Sequence, residues 1–428
     1  MYNLWGMRMV TLAVIGAGLR GSGYARLARE GGLAEVVAVA EPDEGRRADF
    51  AAEHGIPAER VFADWRDLLA GGRLADAVIV ATQDRLHLQP AVRAAELGYH
   101  ILLEKPMAPT EEDATAIAEA ADRNGVILAV CHVLRYAPYT TRLKELLDEG
   151  RIGQIMNIQH LEQVGWWHQA HSFVRGNWRN EAESAPMLLA KACHDLDWIV
   201  HIKGAVPERV SSFGKLVHFT KESRPAGAAD RCLDCSIEPT CPYSARQLYM
   251  ECLADRDRHV WPLGAITRDF TEKGVLTALR EGPYGRCVYA CDNDVVDSQV
   301  VIMEFADGTS ATCTMTAFGA LEHRKTRIFG THGSIECDGE TLRVHDFLTN
   351  EVSVIDALAG ADASAASGHG GGDGALMEAF VAAVRDNDPA LVPTNAQASL
   401  ATHRVVWAAE QARHTRTVIS IGKAPHHA

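Results

Sequence analysis

The string GAGLRG, residues 16–21, most constrains the fold of this chain. It lies where an apolar run, VTLAVI (10–15), gives way to a helical pattern, LRGSGYARLARE (19–30). Gly16, Gly18 and Gly21 match G-x-G-x-x-G, a weak signal when it stands alone. Here it closes a strand and opens a helix, and Glu41 ends the next strand-like run about 20 residues on. That context predicts a dinucleotide site. The glycines let a pyrophosphate approach the helix N-terminus, Leu19 and Arg20 flank it, and Glu41 binds the adenosine ribose. An acid at that place repels a 2′-phosphate, so NAD is expected over NADP; Arg46, with Arg47 beside it, keeps NADP open.

The pattern continues. EVVAVAEPD (35–43), DAVIVATQD (76–84), HILLEKP (100–106) and GVILAVCH (125–132) are strand-like runs separated by Ala-rich helical segments. Strands alternating with helices at this interval predict an α/β domain over residues 1–135, a doubly wound Rossmann parallel sheet. From residue 136 to 428 the reading changes to α+β: a largely antiparallel, open-faced sheet with helices. ADGT and CDGE mark hairpins, and helices at roughly 374–386 and 394–414 close the chain. An irregular Cys-rich insertion spans about 222–290, and DALAGADASAASGHGGGDG (356–374) reads as a small-residue loop.

Composition sets the class of partner. The chain of 428 residues is 47% hydrophobic and 23% charged, with no apolar run long enough to cross a bilayer and no secretion signal at its start. A net charge of −14 argues against nucleic acid or an anionic membrane as a general partner. Ten cysteines without a leader predict reduced thiols and a cytoplasmic location.

VIGAGLRG, VIVATQDRLH (78–87), GYHILLEKPMA (98–108) and RYAPY (135–139), in that order and spacing, resemble the Gfo/Idh/MocA oxidoreductases. The resemblance is tight over about the first 140 residues and loose beyond. It implies that Glu104, Lys105 and Pro106 sit beside the nicotinamide, with Lys105 touching the reacting hydroxyl. Thr82, Asp84 and His87 then line the nicotinamide ribose, although Gln83-Asp84 stands where the family more often has Pro-Asn. Independently, Lys105 lies at the C-terminal end of a parallel strand, where such sheets bind ligands. A lysine there lowers the pKa of a substrate alcohol or exchanges its proton.

The family carries an Asp-x-Gly-x-His-x-x-Asp pattern early in the second domain. AKACHDLD (190–197) supplies His194 and Asp197, but Ala190 and Ala192 replace the first aspartate and the glycine. Lys191 is the substitute donor. On one continuous helix Lys191, His194, Asp195 and Trp198 share an arc of about 100°, with His194 as proton acceptor. The catalytic candidates are therefore Lys105, His194 and Lys191.

GWWHQAHSFVRGNWRN (165–180) mixes aromatic faces with hydrogen-bonding groups, as a carbohydrate pocket requires. Trp167, His168, His171, Arg175, Asn177 and Trp178 are substrate candidates, together with His132, Arg135 and Asp195. Arg175 and Arg179 admit an anionic sugar; Asp292, Asp294 and His369 are weaker candidates.

CLDCSIEPTC places Cys232, Cys235 and Cys241 at C-x2-C-x5-C. The spacing suits a structural zinc whose fourth ligand is Cys287 or Cys291, with Cys252 and His218 as further choices. Free thiols or a disulfide form one alternative reading and an iron–sulfur cluster another.

The leading reading is an NAD-linked oxidation of a secondary hydroxyl on a sugar, glycoside or cyclitol. The second is a redox-neutral, NAD-dependent glycoside hydrolase that oxidises, eliminates, adds water and re-reduces. A non-catalytic NAD(H)-binding regulator is the third. By resemblance alone, a homodimer or tetramer is expected.

Overall fold

The computed structural model describes residues 9–359 and 369–422. Six strands, β1 (Val10–Ile15), β2 (Ala34–Ala40), β3 (Val61–Phe62), β4 (Ala77–Val80), β5 (His100–Leu103) and β6 (Leu128–Val130), form a parallel sheet in the order β3-β2-β1-β4-β5-β6. Side chains alternate along each strand, and both faces are buried. Leu12 and Val14 pack into one layer, whereas Ala13 and Ile15 pack into the other.

Nine strands build the second sheet. They are β7 (Ile155–Gln163), β8 (Arg209–Lys215), β9 (Ser298–Glu304), β10 (Ser310–Thr316), β11 (Lys325–Gly330), β12 (Gly333–Cys337), β13 (Thr341–Asp346), β14 (Val352–Asp356) and β15 (Ile419–Ser420). Their order is β14-β13-β12-β11-β7-β10-β9-β8-β15. Only β7 and β10 pair in parallel among these strands. One face packs Ile158, Val301, Cys313 and Ile328 against the helix Cys193–Lys203. The other exposes Phe213, Ile302, Phe329 and Val354.

The C-terminal helices return to both cores. Leu376, Met377 and Phe380 of the helix Gly372–Asp386 fill the layer beneath β1 and β4. The helix Ala396–Thr415 puts Ala396 and Leu400 against the parallel sheet and Val405, Val406 and Ala409 into the core of the second sheet. Among the described residues no helix is long and apolar enough to cross a membrane.

Candidate active site

The glycines shape the nucleotide cradle. Gly16 follows β1 with φ +93°, and a Cβ there would lie 2.5 Å from the carbonyl oxygen of Ala81. At Gly21 a Cβ would meet the Gly16 oxygen at 2.0 Å, so helix and strand approach only because no side chain intervenes. Gly18, at the N-cap of the helix Leu19–Glu30, has open space around it. These are the three steric roles that the glycines of a Rossmann turn fill. Glu41 is buried at the end of β2, its carboxylate accepting from the Ala17 amide at 2.8 Å, the Asp43 amide at 3.0 Å and Arg46 Nη2 at 3.2 Å. Arg46 is thus drawn to the acid that ends β2.

Arg20 is held by two acids. Its Nε donates to Glu104 Oε1 at 2.6 Å and its Nη2 to Asp373 Oδ1 at 2.6 Å, with the Tyr24 hydroxyl as a further partner. Burial alone would raise the Glu104 pKa, but Arg20 and Lys105 outweigh it and hold the carboxyl below its ordinary value. The other Glu104 oxygen accepts from the Lys105 amide at 2.8 Å. Glu104 is therefore the anchor of the turn that presents Lys105, whose peptide bond to Pro106 is cis.

His87 is fully buried beneath the same turn, with Nδ1 2.9 Å from the Pro106 carbonyl and Nε2 3.1 Å from that of Thr82. It ties the end of β4 to the end of β5. Thr82 Oγ1 is buried without a hydrogen-bond partner at this sheet edge, a polar atom suited to a ribose hydroxyl. Asp84 accepts from Ser184 Oγ at 3.3 Å, and burial raises its pKa.

Lys105 reaches across to the second-domain segment: its Nζ donates to the Ala190 carbonyl at 2.7 Å. Ala190 ends a short helix, Met187–Ala190, and a longer helix, Cys193–Lys203, begins after Ala192. The expectation of one continuous helix is corrected here, because the chain breaks at Lys191–Ala192. Lys191 leaves the face of His194 and pairs with Glu162 on β7 at 2.9 Å. Glu162 is shared with Arg324 at 2.9 Å, and Arg324 Nε also donates to Asp195 Oδ1 at 2.7 Å. His160 Nε2 lies 2.9 Å from the same oxygen. Asp195 thus points into the sheet, wholly buried, and its partners there are Arg324 and His160. Burial pushes its pKa up, and Arg324 and His160 overcome that to hold it well below the carboxylate range.

His194 is buried, with the His132 ring edge-on at 5.8 Å. His132 follows β6 and also meets His403, on the helix Ala396–Thr415, at 5.4 Å. Burial lowers His132 to about 4 and His403 to about 3, so both rings are neutral near pH 7. His403 Nε2 accepts the Met107 amide at 3.0 Å and its Nδ1 donates to the Ser399 carbonyl. Arg135 makes a two-point pair with Asp197 at 2.7 and 2.6 Å and donates to the Pro393 carbonyl. It joins the helix of His194 to the C-terminal helices.

Within the aromatic run 165–180, Trp166–His168 leads into a wider π-helical turn, Gln169–Arg175. Trp167 packs at 5.1 Å on Trp261 of the insertion, and His168 packs at 4.8 Å on the same ring. Burial lowers the His168 pKa far below its usual value, with help from the charges of Lys191, His171 and Lys105. His168 therefore sits in the field of both lysines. His171 is enclosed by the insertion, its Nδ1 2.6 Å from the Tyr249 hydroxyl, and burial brings it to about 3. Asn177 and Trp178 are exposed. Arg175 turns from the substrate run into the insertion, where it donates to the carbonyls of Arg286 and Tyr243. Arg179 pairs with Asp292 at 3.0 Å, and Asp294 accepts from Asn180 and the Glu181 amide. The side chain of His369 lies outside the described residues.

Cys232, Cys235, Cys241 and Cys287 line one cavity, and Cys291 Sγ lies 3.3 Å from the Cys287 carbonyl. All ten cysteines are free. Among the described residues no three potential ligands converge on a single metal position. The expected zinc geometry is not present, because the two thiols of the C-x2-C turn do not meet a third on one point.

Trp261, Tyr249, His403 and Glu162 are site elements that the sequence reading missed. Only Glu162 left a local signal: His160 and Glu162 stand two apart in a strand, so both face the core.

A glycine cradle at a helix N-terminus within a parallel sheet, followed by a mostly antiparallel sheet with helices, defines a Rossmann dinucleotide-binding unit joined to an α+β unit. Two family models confirm the class: an NAD-binding Rossmann-fold oxidoreductase domain matches residues 10–132 and the family's C-terminal alpha/beta domain matches residues 144–421. The chain belongs to the Gfo/Idh/MocA oxidoreductase family. It is 29% identical over 206 residues to 2,7-anhydro-N-acetylneuraminate hydratase of Escherichia coli, covering 48% of this chain and 53% of that protein. It is 35% identical over 156 residues to inositol 2-dehydrogenase 2 of Saccharopolyspora erythraea, covering 36% and 45%. The chain thus spans about half the length of these curated relatives. Levoglucosan dehydrogenase, solved with NADH and levoglucosan, superposes with a TM-score of 0.71 at 18% identity over 97% of this chain and 100% of that one. This likeness concerns the fold.

Proposed function

We propose that the protein oxidises a secondary hydroxyl of a sugar, glycoside or cyclitol, with Lys105 and His194 moving the proton. One observation carries the reading. The Lys105 ammonium leaves the C-terminal edge of the parallel sheet and rests 2.7 Å from the Ala190 carbonyl, four residues before His194. A hydroxyl that displaces that carbonyl receives a charge-assisted hydrogen bond from Lys105, which favours its ionised form. His194 accepts the proton. The neutral His132 beside it adds no competing charge. NAD, when bound, supplies the hydride acceptor. Thr82 orients the nicotinamide ribose, and Trp167, Trp261 and His168 form an apolar wall that excludes water. The test is turnover of a sugar and cyclitol panel followed by NADH absorbance. A Lys105→Met protein that turns over as fast as the wild type refutes the assignment and favours an NAD-sensing role.

A second reading has its own support. A carbonyl formed in the site acidifies the neighbouring C–H, and His168 is a neutral base held near both lysines. The name of one relative, a hydratase of an anhydro sugar, also suits elimination or hydration chemistry. Product release without net NADH decides for this redox-neutral route. Phe213, Ile302 and Phe329, exposed on the second sheet, suit contact with a second copy of the chain, and light scattering reads that state. Ten free cysteines suit a reducing cytoplasm.

A further inference from the structure

The insertion meets the rest of the molecule at two separate places. At one, Trp261 packs on Trp167 at 5.1 Å and on His168 at 4.8 Å, and His168 lies in the field of Lys105 and Lys191. At the other, Arg268 reaches the helix Glu44–His54, which follows β2 and Glu41. Its Nη2 donates to Asp49, and its Nη1 lies 3.9 Å from Asp43 Oδ1. A Cβ added at Gly45 would stand 2.2 Å from the same Nη1, so the guanidinium lies against the first turn of that helix.

These two places mark the two ends of the nucleotide crevice. Glu41 follows β2 and Lys105 follows β5, three strands apart in the order β2-β1-β4-β5. Neighbouring strands are spaced so that this gap is about 14 Å. A dinucleotide laid along the C-terminal edge of a parallel sheet crosses such a gap. The chain from Trp261 to Arg268 extends to at most about 24 Å, and the short turn Leu263–Ala265 takes up part of that length. It therefore runs from the lysine end of the crevice to the end beside Glu41.

The segment is held from the insertion side. Leu263 is fully buried in a core with Tyr249 and Val275. The pairs of Arg268 with Asp43 and Asp49 are exposed at both partners, and exposed pairs contribute little to stability. What they do is orient the guanidinium. The Arg46 amide and the charges of Arg46, Arg268 and Arg47 keep the Asp43 carboxyl below its ordinary value, so it remains ionised. A guanidinium paired in its own plane keeps its faces free to stack on an aromatic ring.

We propose that Arg268 is a cofactor-binding residue lent by the insertion: it covers the adenosine end of NAD, and the segment 261–268 closes the crevice over the bound dinucleotide. Release of the cofactor then requires Arg268 to move aside, so NAD exchanges slowly. The inference rests on the NAD-binding class of the first domain and is independent of the substrate.

The test is made on the full chain, by calorimetry with NAD and with ADP-ribose, which lacks the nicotinamide, and by stopped-flow release of NADH. Arg268→Ala weakens both ligands about tenfold, the scale of one cation–π contact. Most of that loss is faster NADH release, and the melting temperature of the free chain is unchanged. Asp49→Asn, which loosens the guanidinium without removing it, falls between the wild type and Arg268→Ala. Arg280→Ala, at an exposed arginine of the same insertion, binds as the wild type does. Unchanged affinity in Arg268→Ala overturns the proposal, and so does a loss for NAD that ADP-ribose does not share. A lower melting temperature with unchanged affinity makes the contact a structural brace and overturns it too. A wild-type chain that binds neither ligand overturns the cofactor assignment itself and this inference with it, a result distinct from the others.

Discussion

Replacing Arg324 with methionine removes the cation on which two buried carboxylates converge. Arg324 lies 2.7 Å from Asp195 and 2.9 Å from Glu162, and its side chain is 14% exposed. Lys191 still faces Glu162 after the change, and His160 still faces Asp195, so Asp195 bears most of the loss. Breaking a buried ion pair from one side costs about 3–5 kcal/mol. For a domain of this size that shifts the melting temperature by on the order of 10 °C. The sign with pH follows from Asp195. In the wild type its folded pKa is lowered, so the stability it contributes is present above the unfolded value of about 3.9 and is lost as pH falls through the folded one. Without Arg324, burial pushes the carboxyl the other way, and the penalty is relieved as pH falls through its raised pKa. Arg324→Met therefore differs most from wild type near pH 7.5 and least near pH 5. Urea melts of both proteins at the two pH values read this directly. A loss below about 1 kcal/mol at pH 7.5, or a difference that grows on acidification, refutes the pairing as the source of stability.

Other outcomes follow from the same geometry. Lys105→Met lowers kcat by about 10²–10⁴-fold while leaving NAD binding intact, as stopped-flow turnover and calorimetry show together. Gly16→Ala forces a Cβ into the Ala81 carbonyl at a left-handed φ and abolishes NAD binding, which calorimetry reads. His132, His171 and His403 are held neutral by burial, so their folded pKa values lie below the unfolded one. Their stability is complete above about pH 6.5, and each loses about 1.4 kcal/mol per pH unit below it, so acid unfolding sets in between pH 6 and 4. A His403→Gln chain has the shallower slope in a fluorescence titration. Tyr249→Phe removes the hydroxyl beside His171 and raises KM more than it lowers kcat in steady-state assays.

The parallel sheet was legible because its signals are local. β1, the glycines and Glu41 lie within one supersecondary unit, and each glycine has a steric reason readable from spacing. The ion network was not legible. Asp195 meets Arg324 across 129 positions, a pairing set by how a helix seats on the sheet. Lys191 looked like a neighbour of His194 only on a continuous helix, and the break at Lys191–Ala192 undoes that geometry. Arg175 was read with the tryptophans around it because aromatic runs rich in hydrogen-bonding groups suit sugars. The insertion that captures it follows much later in the chain, and nothing local announces the closure.

The helix Gly372–Asp386 has a consequence for how this protein is made. Its Leu376, Met377 and Phe380 complete a layer begun by β1, and Asp373 completes the charge cluster of Arg20 and Glu104. During synthesis the first six strands leave the ribosome long before that helix exists. Until it arrives, the part of that layer not covered by Tyr24, Ala25, Ala28 and Phe50 is an apolar surface in water, and Arg20 lacks one of its acids. Final closure of the nucleotide-binding unit thus waits until late in synthesis, and a chain stopped before Gly372 is expected to expose that apolar layer and bind NAD poorly.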